Sequence, residues 1–279
     1  MNELQKKELE LLELFVDVCK KLQLRYFLVC GSALGAVKYG GFIPWDDDID
    51  VGMPRADYER FLSEANGHFP EHIFLQNYRT DPAFPHVFSK LRNSKTTLIE
   101  DNMAHLDMNH GVYIDVFPLD GYPKTEREKK SLRYKKKFLG WLHYCSLEGG
   151  GSAKVRVRNK FFRMLGWHKK TDVALKKLES VISAYPTEGS DIWCNHGNWQ
   201  GELEYAPVWQ YGDGIVSAFE GVEVIIPEKY DEYLTQKYGD WRSDPPKDKQ
   251  KSHHMIKVLD TDRPYTEYLT AKSTAKNKR

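Results

Sequence analysis

Apolar residues at Leu4, Leu11, Leu12, Phe15, Val18, Cys19 and Leu22 recur at intervals of three, four and seven, which predicts an amphipathic helix running to about Gln23. The pattern then contracts to Tyr26-Phe27-Leu28-Val29-Cys30, an apolar run of strand length. Gly31 and Ser32 break that strand, residues 33–38 read as one or two helical turns, and Gly40-Gly41 is a turn. After Pro44, residues 46–53 fit a strand and residues 55–66 a helix with Tyr58, Phe61 and Leu62 inward. Residues 111–117 are a further strand, closed by Pro118. The first 120 residues thus alternate helix and strand, which predicts an α/β core.

Helical segments are predicted over 126–147, 155–165 and 171–185, with Gly149-Gly150-Gly151-Ser152 as the best internal hinge or loop. Residues 191–213 are rich in glycine and aromatics without a clear period, 222–226 form a strand stopped by Pro227, and 228–238 form a final helix. The reading divides the chain into a catalytic core over 1–122, a mostly helical region packed on it over 123–270, and a flexible tail over 271–279. There are no internal repeats.

Charge changes this picture more than bulk composition does. The chain carries 41 Lys plus Arg against 40 Asp plus Glu, yet Lys124 to Lys170 holds 15 basic residues and three acids, a block of +12 against −11 elsewhere. Opposed blocks of this size point to distinct partners for each. With 13% aromatic residues and enough length to bury roughly three quarters of its unfolded surface, the chain is neither disordered nor a disulfide scaffold. No apolar run approaches the roughly 18 to 20 residues of a membrane span, and Glu3, Glu8, Glu10 and Glu13 do not suit a signal peptide. The expected location is cytoplasmic, at most peripheral at the inner face of the membrane. Cys19, Cys30, Cys145 and Cys194 lack CxxC spacing and read as buried free thiols; Cys194-Asn195-His196 could be half of a metal site, but no matching half is present.

The richest chemistry lies in Pro44-Trp45-Asp46-Asp47-Asp48-Ile49-Asp50-Val51. On a strand, Asp46, Asp48 and Asp50 would share one face and repel one another. A divalent cation resolves such repulsion, and hard oxygen ligands suit Mg²⁺ or Mn²⁺. The plain alternative is an acidic turn solvated by water. Gly31-Ser32, between a strand and a helix, could cradle phosphate or be a simple turn. Asp115, inside an apolar strand, could be a third carboxylate of a site or a satisfied structural acid. The three elements together are similar to the arrangement of the nucleotidyltransferase superfamily.

Residues 31–38 (GSALGAVK) followed by 41–50 (GFIPWDDDID) closely resemble the signature of the LicD family of phosphocholine transferases, relatives of the fukutin-type transferases. Lys90-Leu91-Arg92 with Thr96-Thr97, residues 111–121 (GVYIDVFPLDG), and Ile226-Pro227 through Pro245-Pro246 carry the resemblance onward, so that it runs from about residue 10 to 255. It implies a nucleotidyltransferase-like core with a mixed sheet and a helical C-terminal part. It also implies transfer of a phosphorylated alcohol, phosphocholine foremost, from a CDP-linked donor to a sugar hydroxyl of a surface glycan such as lipopolysaccharide, teichoic acid or capsule, or of its lipid-linked precursor. Carried over, Asp48 and Asp50 hold the metal, Asp115 is the third carboxylate, as metal ligand or base, and Gly31 and Ser32 meet the donor phosphates. Lys38, Lys90 and Arg92 are candidate phosphate contacts, and either His253 or His254 stands for the family histidine. Ser32 replaces a commoner threonine and Lys38 a commoner arginine.

A choline group needs aromatic faces, and Trp193, Trp199, Tyr205, Trp209 and Tyr211 could supply them or simply pack in the core. Two other functions compete. A true nucleotidyltransferase would use the same Gly-Ser and Asp-x-Asp elements on a small acceptor and release pyrophosphate. A basic binding module would use the +12 block, with Phe138, Trp141, Tyr144, Phe161, Phe162 and Trp167, on a membrane or nucleic acid. The carboxylates disfavour nucleic acid, so the partner expected for that block is an anionic membrane or a lipid-linked acceptor.

Overall fold

The computed structural model describes residues 1–144, 157, 160, 161, 164, 171–197, 204–252 and 255–269. Helix α1 (Glu3–Leu22) follows the predicted apolar period. Asn2 caps it by accepting the Gln5 N–H at 2.8 Å, while Gln5 Oε1 accepts the Asn2 N–H at 2.9 Å, a reciprocal capping box. Leu4, Leu11, Leu12 and Phe15 are buried, each contributing about 1.5–3 kcal/mol of hydrophobic stabilisation. Phe15 meets the rings of Tyr26 and Phe61 edge-on, both at 5.2 Å.

Strand β1 (Phe27–Leu28) is shorter than its apolar run, because Cys30 opens helix α2 (Cys30–Tyr39). Cys30 takes a left-handed φ of 54°, a costly conformation for a side-chain-bearing residue, and its N–H donates to Tyr233 Oη at 3.2 Å. Gly40 ends α2 at φ 69°. A Cβ on Gly35 would lie 2.4 Å from the Gly41 carbonyl oxygen, a backbone atom that cannot swing aside. Gly35→Ala is therefore expected to destabilise by about 1–3 kcal/mol, read as a lower urea midpoint at unchanged m-value.

Strand β2 (Asp50–Pro54), helix α3 (Arg55–Glu64), and strands β3 (Ile73–Gln76), β4 (Ser89–Asn93), β5 (Thr97–Glu100) and β6 (Val112–Gly121) complete the core. The main sheet runs β1-β2-β6-β4-β3; β2 and β6 are parallel and the other pairs antiparallel, so the fold is mixed α/β. β6 continues through Pro118 instead of stopping there. The reason is positional. Asp115 N–H donates to Ile49 O, just before β2, so alternation turns the missing Pro118 N–H to the other edge. On that edge β4 pairs only as far as Val116 and the next partner begins at Leu119, so Pro118 falls in the gap.

The region expected to be mostly helical also supplies strands. Helix α4 (Glu126–Tyr144) packs on α5 (Thr171–Ile182), after which β7 (Ile192–Asn195) joins the far half of β6 and β8 (Tyr205–Pro207) joins β7. Helix α6 (Val208–Tyr211), the hairpin β9 (Ile215–Phe219) with β10 (Val222–Ile226), and helix α7 (Tyr230–Tyr238) follow, and β11 (Ile256–Asp260) pairs with β5. At the hairpin tip Glu220 and Gly221 both have positive φ, the backbone of a two-residue turn. Glu220 N–H donates to Gly40 O at 2.8 Å and its carboxylate accepts the Phe42 N–H at 3.2 Å, which holds the turn leading to the aspartates. Among the described residues no helix is long and apolar enough to cross a membrane. The glycine hinge 149–152, Cys145, most of the predicted helix over 155–165, and the tail lie outside the described residues.

Candidate active site

The predicted strand over 46–53 begins only at Asp50, so strand alternation does not place Asp46 and Asp48. Local contacts do. Asp46 N–H donates to Ile43 O at 2.9 Å, Gln5 Nε2 of α1 donates to Asp46 O at 2.9 Å, and Ser252 Oγ donates to Asp47 Oδ1 at 2.6 Å. A Cβ on Gly31 would come 3.0 Å from Asp46 Oδ2, so glycine lets that carboxylate approach the start of α2.

Register fixes the rest. Asp50 on β2 pairs with Asp115 on β6, and Asp115 pairs with Lys90 on β4, so the three side chains form a row across one sheet face. Lys90 Nζ lies 2.9 Å from Asp115 Oδ1 and over the Tyr113 ring, 3.2 Å from its centroid. The Asp50 N–H donates to Ser32 Oγ at 2.8 Å. Burial, and then the charges of Asp48, Asp115, Glu204 and Asp46, push the Asp50 carboxyl well above its ordinary pKa. Asp115 is also raised by burial, with Lys90 opposing.

Asp46, Asp48 and Asp50, with Cys30 and Gly31 from the N-terminal end of α2, line a cleft of about 720 Å³. Lys38, Tyr39 and Trp45 continue this wall, and Tyr238 at the end of α7, with Trp241, Asp244 and Lys249 beyond it, also line the cleft. Lys38 Nζ donates to Asp244 Oδ1 at 2.5 Å and to Trp241 O at 3.3 Å, a latch between the two walls.

The cleft thus gathers Asp48, Asp50, Gly31 and Lys38. Ser32 and Lys90 are buried and hold Asp50 and Asp115 from behind. Arg92 is fully buried, donating to Gln76 Oε1 and Gly111 O and lying over the Tyr113 ring at 4.6 Å, so its guanidinium sits inside the core, with Nη2 lacking a hydrogen-bond partner among the described residues. His253, His254 and Trp199 lie outside the described residues. Of the aromatics considered for a choline pocket, Trp193 and Tyr211 are core residues with ring centroids 5.2 Å apart, Trp209 is exposed, and Tyr205 packs on Tyr122. Tyr39, Trp45, Tyr238 and Trp241 line the cleft instead.

Two groups escaped the sequence reading. Glu8 is 1% exposed, its Oε2 has no hydrogen-bond partner among the described residues, and burial followed by the charges of Asp48, Asp47, Asp46 and Asp115 raises its pKa well above normal. The available signal was its position between Leu4 and Leu11 on the apolar stripe of α1, where an acid is out of place. Beneath Cys30, Lys237 of α7 donates to Glu204, both side chains being at most 3% exposed, and Cys30 Sγ lies 3.4 Å from Glu204 Oε2. Lys237 follows Tyr233 and Leu234 on the buried side of α7; nothing local marks Glu204.

Among the described residues no three His, Cys, Asp or Glu side chains form a ready-made metal cage. The donor set nevertheless fits a hard divalent cation. Asp48 and Asp50 both line the cleft, and a cation would offset the burial, and then the neighbouring charges, that raise Asp50. Mg²⁺ commonly takes only one or two carboxylates, with water and phosphate filling the remaining positions.

The structure is a mixed α/β domain whose cleft sets carboxylates beside a helix N-terminus, a pairing whose chemistry suits phosphate together with a cation. Residues 23–149, a little under half of the chain, match the family described as LicD/FKTN/FKRP, nucleotidyltransferase domain. The chain is 28% identical over 257 residues to the lipopolysaccharide cholinephosphotransferase LicD of Haemophilus influenzae, covering 88% of this chain and 93% of that protein. An uncharacterised protein of Rickettsia prowazekii is 28% identical over 122 residues, 43% of this chain and 42% of that one.

Proposed function

We propose that the protein transfers phosphocholine from a CDP-linked donor to a sugar hydroxyl of a surface glycan or its lipid-linked precursor. The observation that carries this reading is the meeting, in one cleft, of Asp48 and Asp50, the first residues of α2 and four aromatic side chains, Tyr39, Trp45, Tyr238 and Trp241. The similarity to a cholinephosphotransferase over 88% of the chain supports the same assignment.

Asp48 and Asp50 would hold Mg²⁺ or Mn²⁺, which supplies charge neutralisation on the donor pyrophosphate as CMP leaves. Ser32 keeps Asp50 aimed at the cleft by accepting its backbone N–H. The N-terminal end of α2, at Cys30 and Gly31, favours the negative charge of the phosphates. Lys38 adds a cation on the same wall. Asp115, one strand over from Asp50 and paired with Lys90, would take the acceptor hydroxyl proton, directly or through one water. Trp45 and Tyr39, with centroids 6.1 Å apart and rings nearly perpendicular, offer faces to a trimethylammonium group.

The test is CMP release from a panel of CDP-alcohols with glycan acceptor and Mg²⁺, with and without EDTA. CDP-choline should be used best and EDTA should stop the reaction. Pyrophosphate release from a nucleoside triphosphate, with no CMP from any CDP-alcohol, would instead identify a nucleotidyltransferase. Trp45→Ala is expected to raise KM for CDP-choline roughly 2- to 30-fold, and to affect a neutral CDP-alcohol less, at unchanged melting temperature.

A further inference from the structure

The basic block presents apolar side chains to solvent. On α4, Leu132 and Leu139 are buried, whereas Tyr134 and Phe138 are 64% and 57% exposed. Arg127, Lys130, Arg133, Lys135 and Lys137 are exposed on the same helix. Further along, Val157, Lys160, Phe161 and Met164 are helical and exposed, the three apolar ones at 71%, 56% and 78%. Spacing of four and then three residues sets Val157, Phe161 and Met164 on one helix side. A stripe of this period ordinarily faces a core. Here it faces outward, within a stretch whose net charge is +12.

Charge complementarity selects an anionic occupant, and the apolar residues narrow it further. Nucleic acid would use the cations and the aromatic rings but has no use for exposed Val157 and Met164. An anionic bilayer uses all of them: Lys and Arg reach the headgroups while aromatic and aliphatic side chains enter the boundary with the acyl chains. α4 starts past the C-terminal end of β6, roughly 20 Å along that strand from Asp115.

We propose that the exposed side chains of α4, together with Val157, Phe161 and Met164, dock the protein on an anionic lipid bilayer. The inference is independent of which group the cleft transfers, and its test needs no turnover. The full-length protein is floated with vesicles of phosphatidylcholine alone or mixed with phosphatidylglycerol, at low and high salt. Wild type is expected to float with the anionic vesicles only, and to lose binding as salt rises. Phe138→Ser combined with Phe161→Ser and Met164→Ser should lower the partition coefficient at least roughly tenfold. Arg127→Glu with Lys130→Glu should lower it roughly fivefold or more per residue. Because these side chains are exposed, the melting temperature should hold in both variants. Wild type that stays with neither vesicle would overturn the proposal, as would an apolar variant that floats like wild type. So would tighter binding to DNA than to vesicles at the same salt, or a concentration-dependent dimer in analytical ultracentrifugation that the same substitutions abolish.

Discussion

Asp50→Asn is expected to lower kcat by roughly 10³-fold or more while leaving the protein at least as stable as wild type. Both halves follow from the same geometry. Asp50 is buried, paired in register with Asp115, and surrounded by Asp48, Glu204 and Asp46, so its charged form is disfavoured in the folded protein. Asparagine keeps the shape and the backbone bond to Ser32 but removes the repelled charge. The sign of the pH effect follows. A carboxyl raised in the folded state contributes stability that is fully present below its unfolded pKa, near 3.8, and is lost as pH rises through the folded value. Wild-type stability should therefore fall with rising pH above about 3.8 more steeply than that of Asp50→Asn. If Asp48 and Asp50 hold a cation, Mg²⁺ should raise the wild-type melting temperature and leave that of the variant unmoved. Wild-type turnover by Asp50→Asn would remove this residue from the site. A loss of activity accompanied by unfolding would make its role structural.

Lys237→Met should cost about 3–5 kcal/mol of stability, the largest single loss expected outside the apolar core. Lys237 and Glu204 are both at most 3% exposed, and Glu204 lies beside the Cys30 thiol and close enough to raise Asp50. Removing the ammonium strands a carboxylate in a dry site already rich in negative charge. Lys237→Met with Glu204→Gln removes both charges, and the pair should recover most of the loss, since hydrophobic or neutral replacements of a buried ion pair are often near neutral. Urea unfolding of the two single variants and the double variant gives the coupling energy. Simple additivity would show that the pair does not act as a unit. The pair also ties α7, and with it the aromatic wall of Tyr238 and Trp241, to the first residue of α2. Weakening it should loosen the cleft as well as the fold.

Local pattern made much of the core legible. The period of α1, the helices α2, α3 and α7, and strand β10 follow from spacing and from glycine or proline punctuation, because amphipathic burial imposes a repeat on the chain itself. Strands β3 and β4 left no alternation to read, since every residue of β4 is buried, including Lys90 and Arg92. Their charges look like surface in sequence and are core in space. The strand expected from Asp46 failed in a related way. Three acids in alternation suggested a face, but the strand begins only at Asp50, and Asp46 and Asp47 are held by contacts from α1, Gly31 and Ser252.

The sequence by itself determined the alternation of helix and strand, the acidic segment over 46–50, the glycine at 31 and the basic block from 124 to 170. These are local facts of spacing and composition. Only the tertiary structure decided which charges meet: Lys90 with Asp115, Lys38 with Asp244, Lys237 with Glu204, and Glu8 beneath the aspartates. It also moved the aromatic wall from Trp193 and Tyr211 to Tyr39, Trp45, Tyr238 and Trp241. The reason is that partners of a buried charge, or of a ring, are chosen by strand register and helix packing across separations of up to about two hundred residues. No period along the chain encodes these partners.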